Sequence, residues 1–198
     1  MIGMMIMALG VAMTIKGQRL GIGPWDVLHV GLYNNLGLSI GSWNIITGLL
    51  IILIVSIFAR EFPKLGTWIN IVVIGLFIDL FNWLLPEFTT LFGQTIILVI
   101  GIIVMGFGAG IYVSPNLGAG PRDSLMLLIV DKFNFRIKYV RTIIEVLVAV
   151  LGWALGGPVG IGTVVIALLI GQIIHFALPL SQKVLLKCLG ERELSVLL

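Results

Sequence analysis

Leu20-Gly-Ile-Gly-Pro-Trp-Asp-Val-Leu28 decides the organisation of this chain, because it returns as Leu117-Gly-Ala-Gly-Pro-Arg-Asp-Ser-Leu125 with six identities in nine positions. The similarity continues further along the chain. With one residue deleted, Gly66, Thr67, Ile74, Gly75 and Ile78 align with Gly162, Thr163, Ile170, Gly171 and Ile174. The sequence therefore predicts a single domain, 1–198, made of two repeats (about 1–88 and about 91–182) and a short cytoplasmic tail, 183–198.

The composition is that of a membrane protein. Of 198 residues, 59% are hydrophobic and only 11% charged, with a mean hydropathy of +1.17, whereas soluble domains carry about 25% charged residues. The lipid bilayer is thus the expected surrounding. The net charge of +3 comes from basic residues at segment ends. Residues at such positions indicate how the chain is oriented in the membrane, and we predict no nucleic-acid partner from them. Cys188 is the single cysteine, which excludes an internal disulfide and a cysteine-based metal cluster.

Six long apolar segments predict membrane spans, and two short ones do not. The long segments are 1–15, 42–59, 65–85, 91–113, 140–155 and 159–180; the short ones are 25–36 and 122–133. About twelve residues are too few to cross a bilayer, which indicates re-entrant or interfacial helices. Segment 1–15 is itself short for a span, so the start of the chain could lie upstream of Met1.

The distribution of basic residues favours six spans over eight. If the short segments enter and return, ten lysines and arginines lie on one side and only Lys16 and Arg19 on the other, in agreement with the positive-inside rule. Both termini are then cytoplasmic. Three spans in each repeat require the second repeat to be inserted upside down. The prediction is an all-α polytopic membrane protein in two inverted repeats, a plan found in many secondary transporters.

The duplicated motif is typical of a helix start. Pro24 and Pro121 suit the first helical position, and the glycines permit a tight turn and a close approach of backbone or solute. These glycines are Gly21, Gly23, Gly118 and Gly120. The sequence thus places two short helices directly after two glycine-rich turns.

The motif also supplies most of the candidate binding residues. Asp26 and Asp123 either cap two helix dipoles or bind a cation, a proton or a basic group in a water-accessible cavity, since ionisable residues at membrane depth are costly. Arg122 is either a snorkelling anchor or an anion-recognition group near a helix N-terminus. Trp25 is either an interfacial residue or a ring on which a ligand stacks.

A second candidate pair follows from the repeat. Asp79 and His175 hold matching positions in the two Gly-Thr segments, each thirteen residues after the glycine. They either form a proton relay or bond to headgroups and neighbouring helices. Arg141 and Glu145, spaced i, i+4, are interpreted as a mutually neutralising pair on one helix. His29 is interpreted as a polar edge, and no spacing typical of metal ligands or cofactor sites is present.

The motif and its duplicate resemble the bacterial YczE/YyaS/YitT-type membrane proteins, particularly the YczE-like branch, over nearly the full length. The resemblance implies a multi-pass protein of the bacterial cytoplasmic membrane and implies no substrate or reaction. The leading hypothesis for function is a small-solute or ion transporter with its pathway between the repeats. The alternative is a non-transporting accessory or regulatory protein acting through a membrane-associated partner. No enzyme signature is present, and a homodimer is compatible with the many glycines.

Overall fold

The computed structural model describes residues 1–114 and 120–189, with side chains described as far as Val184. These ranges contain helices and no strand. In chain order the helices are α1 (Ile2–Lys16), α2 (Pro24–Leu36), α3 (Ile40–Ala59), α4 (Leu65–Leu84), α5 (Leu91–Val113), α6 (Pro121–Phe133), α7 (Ile137–Ala154) and α8 (Ile161–Leu189), with a 3₁₀ turn at Gln18–Leu20. The predicted all-α class is confirmed.

The starts of α2 and α6 follow the duplicated motif. Pro24 and Pro121 are the first helical residues, and Gly23 and Gly120 precede them with extended backbone. A proline at this position loses no helical hydrogen bond, and its fixed φ suits the first turn. The predicted helix starts are therefore confirmed.

Four helices are long and apolar enough to cross a membrane: α3, α4, α5 and, in α8, the stretch Ile161–Val184. The helix α1 is apolar but has only 15 residues. The helix α7 has 18 residues and contains Lys138, Arg141 and Glu145. The structure thus supports a helical membrane protein, and the count of six spans stays a prediction.

The centre of the molecule is an antiparallel pair, α1 and α5, packed through glycines. A Cβ atom added at Gly10 would overlap the backbone of Met105, and one added at Gly108 would overlap the backbone of Met7. Likewise, a Cβ at Gly3 would meet the backbone nitrogen of Tyr112 at 2.6 Å, and a Cβ at Gly101 that of Thr14 at 2.9 Å. Small residues let the two backbones approach closely, which is how membrane helices pack without a hydrophobic driving force.

The remaining helices surround this pair in matching ways. The helix α4 packs on α1, and α8 packs on α5. The short helix α2 packs on α7 and α3, while the short helix α6 packs on α3 and α7. One contact breaks the pattern: α3 packs along α4, whereas the described parts of α7 and α8 make little or no contact. The gap between α7 and α8 is where the candidate site lies.

Candidate functional site

A cavity of about 330 Å³, which we call the central cavity, opens between α7, α8 and the first turns of α2 and α6. Its walls are mostly Met, Ile and Ala side chains, and five charged residues face into it: Asp26, Arg122, Asp123, Arg141 and Glu145. The motif thus brings its two aspartates, from different halves of the sequence, to one place. The central cavity combines an apolar lining with a few charged groups, as small-molecule sites do.

Asp26 is the most enclosed of these charged groups. Its exposed fraction is 3%, and its Oδ1 atom has no hydrogen-bond partner. Gly23 makes room for the carboxylate, since a Cβ at that position would lie 2.8 Å from Asp26 Oδ2. A buried carboxylate oxygen without a partner is costly, and a proton or a donor group bound to Asp26 would remove that cost. In contrast, Asp123 lines the same cavity with an exposed side chain.

His29 lies one helical turn after Asp26 and is 1% exposed. Its Nε2 atom is 2.9 Å from Thr47 Oγ1 on α3. Its Nδ1 atom is 3.9 Å from Asp26 Oδ1 and has no hydrogen-bond partner. The sequence analysis treated His29 as a polar edge, which is wrong: the side chain is buried between α2 and α3.

Arg122 and Trp25, which hold the same position in the two copies of the motif, lie against each other. The guanidinium carbon of Arg122 is 5.0 Å from the centre of the Trp25 ring, a distance that allows a cation–π interaction. Arg122 also interacts electrostatically with Asp26, Asp123 and Glu145. The pair is therefore part of the charged cluster in the central cavity.

Arg141 and Glu145 form the predicted ion pair, with Arg141 Nε donating to Glu145 Oε1 at 3.0 Å. The sequence analysis assigned them no role beyond neutralising each other. In the structure both residues form the α7 wall of the central cavity. The i, i+4 spacing identified the pair, but only the packing of α7 beside α2 and α6 shows which way it faces.

A second, smaller cavity of about 60 Å³ lies on the α3 and α4 side of Trp25 and Arg122. The two cavities share five lining residues: Met7, Trp25, Tyr112, Arg122 and Asp123. The smaller one is otherwise lined by Asn44, Thr47, Gly48, Ile51, Asn70, Ile74, Gly120 and Pro121. The Trp25–Arg122 pair is thus part of the boundary between the two cavities.

The candidate pair Asp79 and His175 does not join this site. Asp79 accepts hydrogen bonds from Ser39 Oγ at 2.5 Å and from the backbone nitrogen of Gly41 at 2.8 Å, and so caps the start of α3. It lines a separate cavity with Lys16 and Glu87, which form an ion pair. His175 is exposed on α8 and lines none of these three cavities.

Of the motif glycines, Gly21 serves close packing. Gly21 has φ +91°, a conformation that favours glycine, and a Cβ there would overlap the backbone of Gly160. Gly120 borders the smaller cavity beside Asp123. Gly118 lies outside the described residues. No group of three or more His, Cys, Asp or Glu side chains that could hold a metal ion occurs among the residues that the structure describes.

Residues 1–179 match a protein family described as a family of unknown function, DUF6198. The chain belongs to this family. A DUF6198 relative, the "uncharacterized membrane protein YczE" of Bacillus subtilis (strain 168), is 44% identical over 194 residues, covering 98% of this chain and 90% of YczE. The predicted resemblance is thereby confirmed.

Two further relatives of this DUF6198 protein extend the comparison. An uncharacterized protein of Haemophilus influenzae (strain ATCC 51907 / DSM 11121 / KW20 / Rd) is 37% identical over 173 residues, covering 87% of this chain and 78% of the relative. The uncharacterized protein YyaS of Bacillus subtilis (strain 168) is 32% identical over 185 residues, covering 92% of each chain. No solved structure matches. One of these relatives is named a membrane protein, and none of the three names states an activity.

Proposed function

We propose that this protein transports a small solute or ion and that the central cavity is its binding site. The observation that carries the proposal is the cavity itself: three carboxylates and two guanidiniums, contributed by α2, α6 and α7, face one space among apolar helices. Ionisable groups at membrane depth are costly and typically mark substrate or ion pathways. A purely structural role for Asp26 would require partners for its carboxylate, yet Oδ1 has none.

The two cavities support a pathway between repeats. Asn44, Thr47 and Gly48 of the smaller cavity correspond in the repeat to Arg141, Ile144 and Glu145 of the central cavity. On α4 and α8, Asn70 and Ile74 correspond in the same way to Ile166 and Ile170. The two cavities are thus made from equivalent positions of the two halves.

The contacts between α1 and α5 support an inverted arrangement of these halves. The contact of Gly10 with Met105 is repeated, with the helices exchanged, by the contact of Gly108 with Met7. Gly3 with Tyr112 and Gly101 with Thr14 form a second such reciprocal set. Since the helices are antiparallel, the axis that exchanges them runs across the helices and hence in the membrane plane, as in transporters with inverted repeats.

The unequal size of the cavities supports alternation between two states. The cavity between α7 and α8 is open at about 330 Å³, while its counterpart between α3 and α4 is nearly closed at about 60 Å³. In an alternate state the halves would exchange roles: α7 would close on α8, and α3 would separate from α4. The Trp25–Arg122 pair, which borders both cavities, is then the barrier that a solute passes.

The proposal includes the topology that the sequence predicts. Six spans and two re-entrant helices, α2 and α6, lie in two inverted repeats in a bacterial cytoplasmic membrane, with both termini cytoplasmic. This arrangement puts Lys16 and Arg19 outside and the other basic residues inside.

Transport by proteoliposomes tests the proposal. Purified protein reconstituted in phospholipid vesicles is challenged with Na⁺, K⁺, amines and amino acids on a solid-supported membrane, and charge movement is recorded. We expect a current with at least one of these solutes, its near-complete loss in Asp26→Asn, and strong reduction in Asp123→Asn. Asp131→Asn is the matched control, since Asp131 is an exposed aspartate on α6 outside these cavities. Currents that survive Asp26→Asn, or absence of flux for every solute, would reject the transporter in favour of the accessory role.

A further inference from the structure

Asp26 Oδ1 and His29 Nδ1 face each other at 3.9 Å, and neither atom has a hydrogen-bond partner. Thr47 on α3 contacts the other nitrogen of the His29 ring. Its hydroxyl donates to the backbone oxygen of Trp43 at 2.8 Å, the usual bond of a threonine inside a helix. A hydroxyl has one hydrogen; with that hydrogen directed to either helix carbonyl, Trp43 O or Asn44 O at 3.2 Å, Thr47 Oγ1 accepts from His29 Nε2 at 2.9 Å.

On this basis the hydrogen of the neutral His29 ring is assigned to Nε2. Because Nε2 carries the hydrogen, Nδ1 of the neutral ring is a lone-pair acceptor. Nδ1 lies 3.9 Å from Asp26 Oδ1, and neither atom has another partner. Both residues are at least 97% buried. Two acceptors thus face each other in a buried site, where an unmade hydrogen bond is costly.

We propose that the Asp26–His29 pair is a proton-binding site and that the bound proton is the coupling ion for transport. The coupling role rests on the transport function proposed above. A proton added at either Oδ1 or Nδ1 supplies the missing donor, and the two side chains can then move together from 3.9 Å to hydrogen-bonding distance. The proton comes from water in the central cavity, which Asp26 lines, and returns there. Only this proton is transferred, and no group is oxidised or reduced.

The surrounding charges make occupancy of the site sensitive to the state of the cavity. Arg122 and Asp123 on α6 and Glu145 on α7 share the central cavity with Asp26, and the charge of Arg122 is opposite in sign to that of the three carboxylates. Arg141 on α7 and Tyr112 on α5 complete the titratable groups of the cavity wall, and α3 contributes the neutral Thr47 beside His29. A cationic or anionic solute that binds among these charges therefore changes the proton affinity of the pair, which is the requirement for coupling.

The chain permits a clean measurement because it has only two histidines, His29 and His175. In His175→Gln, labelled with ¹⁵N-histidine and ¹³C-aspartate and embedded in lipid nanodiscs, every imidazole signal belongs to His29. We expect Nδ1 without a hydrogen at high pH. We also expect the Nδ1 and Asp26 carboxyl signals to shift together, with one midpoint, as the pH falls through about 8 to 5.

Two variants separate proton binding from a structural role. In Asp26→Asn the site loses its anionic partner, and proton affinity at His29 should fall at least about tenfold. Thr47→Val removes the acceptor of Nε2–H, so the tautomer signals should become mixed, and Thr47→Ser should restore them. Asp131→Asn is the control and should leave the titration unchanged.

The outcomes distinguish this inference from the transport proposal, because the titration needs no transported solute. A hydrogen on Nδ1 at high pH, separate midpoints for the two residues, or an unchanged His29 titration in Asp26→Asn would each overturn the proton site. Joint titration in a protein that moves no solute would retain the proton site and reject the transporter. Solute flux without joint titration would do the reverse.

Discussion

The glycine contacts between α1 and α5 lead to a quantitative prediction about stability. Replacing Gly10 by alanine puts a methyl group well under 3.0 Å from the backbone of Met105, and Gly108→Ala does the same against Met7. Backbone atoms cannot turn aside as a flexible side chain can, so the helices must separate. Overpacking of this kind costs about 1–3 kcal/mol.

Two effects oppose each other in these variants. Alanine in a helix interior is favoured over glycine by up to about 1 kcal/mol, which offsets part of the cost. Gly171 on α8 provides the matched control: its nearest non-local atom would lie 3.6 Å from a new Cβ, an ordinary contact. Gly171→Ala therefore keeps the gain in helix propensity without the overlap.

The assay is thermal unfolding of the detergent-solubilised protein, followed by tryptophan fluorescence. A change of 1 kcal/mol shifts the midpoint by roughly 2–4 °C in chains of this size. We expect both Gly10→Ala and Gly108→Ala to unfold several degrees below Gly171→Ala, and by similar amounts, because the two contacts are reciprocal. Midpoints for all three variants at or above that of the unmodified protein would refute the close-packing argument. A large loss for one glycine alone would refute the reciprocity.

Three further predictions concern other parts of the molecule. Asp79→Ala should lower the free energy of unfolding by about 1–2 kcal/mol, because it removes the hydrogen-bond acceptor at the start of α3. The reference is the thermal midpoint of Asp131→Ala, a change at an exposed aspartate. Equal midpoints for the two variants would contradict the capping role of Asp79. Glu87→Gln should cost about 1 kcal/mol, since it leaves Lys16, whose side chain is only 6% exposed, without its ion-pair partner; exposed Glu61→Gln should be neutral in the same assay, and a neutral Glu87→Gln would show the ion pair to be unimportant. In a Cys188→Ser background, Leu38→Cys should react with an impermeant thiol reagent from outside and Phe135→Cys only from inside; reaction of both from one side would exclude the inverted topology.

The sequence alone was sufficient to locate the starts of α2 and α6 and three of the five charged residues that meet in the central cavity, Asp26, Arg122 and Asp123. Pro24 and Pro121 act locally, through backbone geometry, so their effect is visible without a fold. The repeat then implied that Asp26 and Asp123 are equivalent, and both line the central cavity. Local chemistry and internal similarity together carried this part of the prediction.

The residues missed from sequence are those whose roles depend on a neighbouring helix. His29 has no partner in its own helix except Asp26, and its burial depends on Thr47 of α3. Glu145 and Arg141 satisfy each other within α7, and nothing in their spacing says which face of α7 borders a cavity. Asp79 was paired with His175 by sequence equivalence, but its hydrogen bonds go to the start of α3, where Ser39 is the helix cap.

The short length of α1 also has a different meaning in the structure. A span that faces lipid must match the hydrocarbon thickness of about 30 Å, and the 15 residues of α1 do not. However, Gly10 to Lys16 are all buried by other helices. The length rule therefore does not apply to the enclosed half of this helix.

The enclosure of α1 also sets an order of events during biosynthesis. The helix α5, which covers the glycine face of α1, begins at Leu91, 75 residues after Lys16 ends α1. At about 5–20 residues per second, a ribosome needs roughly 4–15 s to make that stretch. During this delay the nascent chain carries a helix too short for the bilayer, with Lys16 at its end and its partner not yet synthesised. The glycine contacts that hold the centre of the molecule together therefore form only after α2, α3 and α4 have been made.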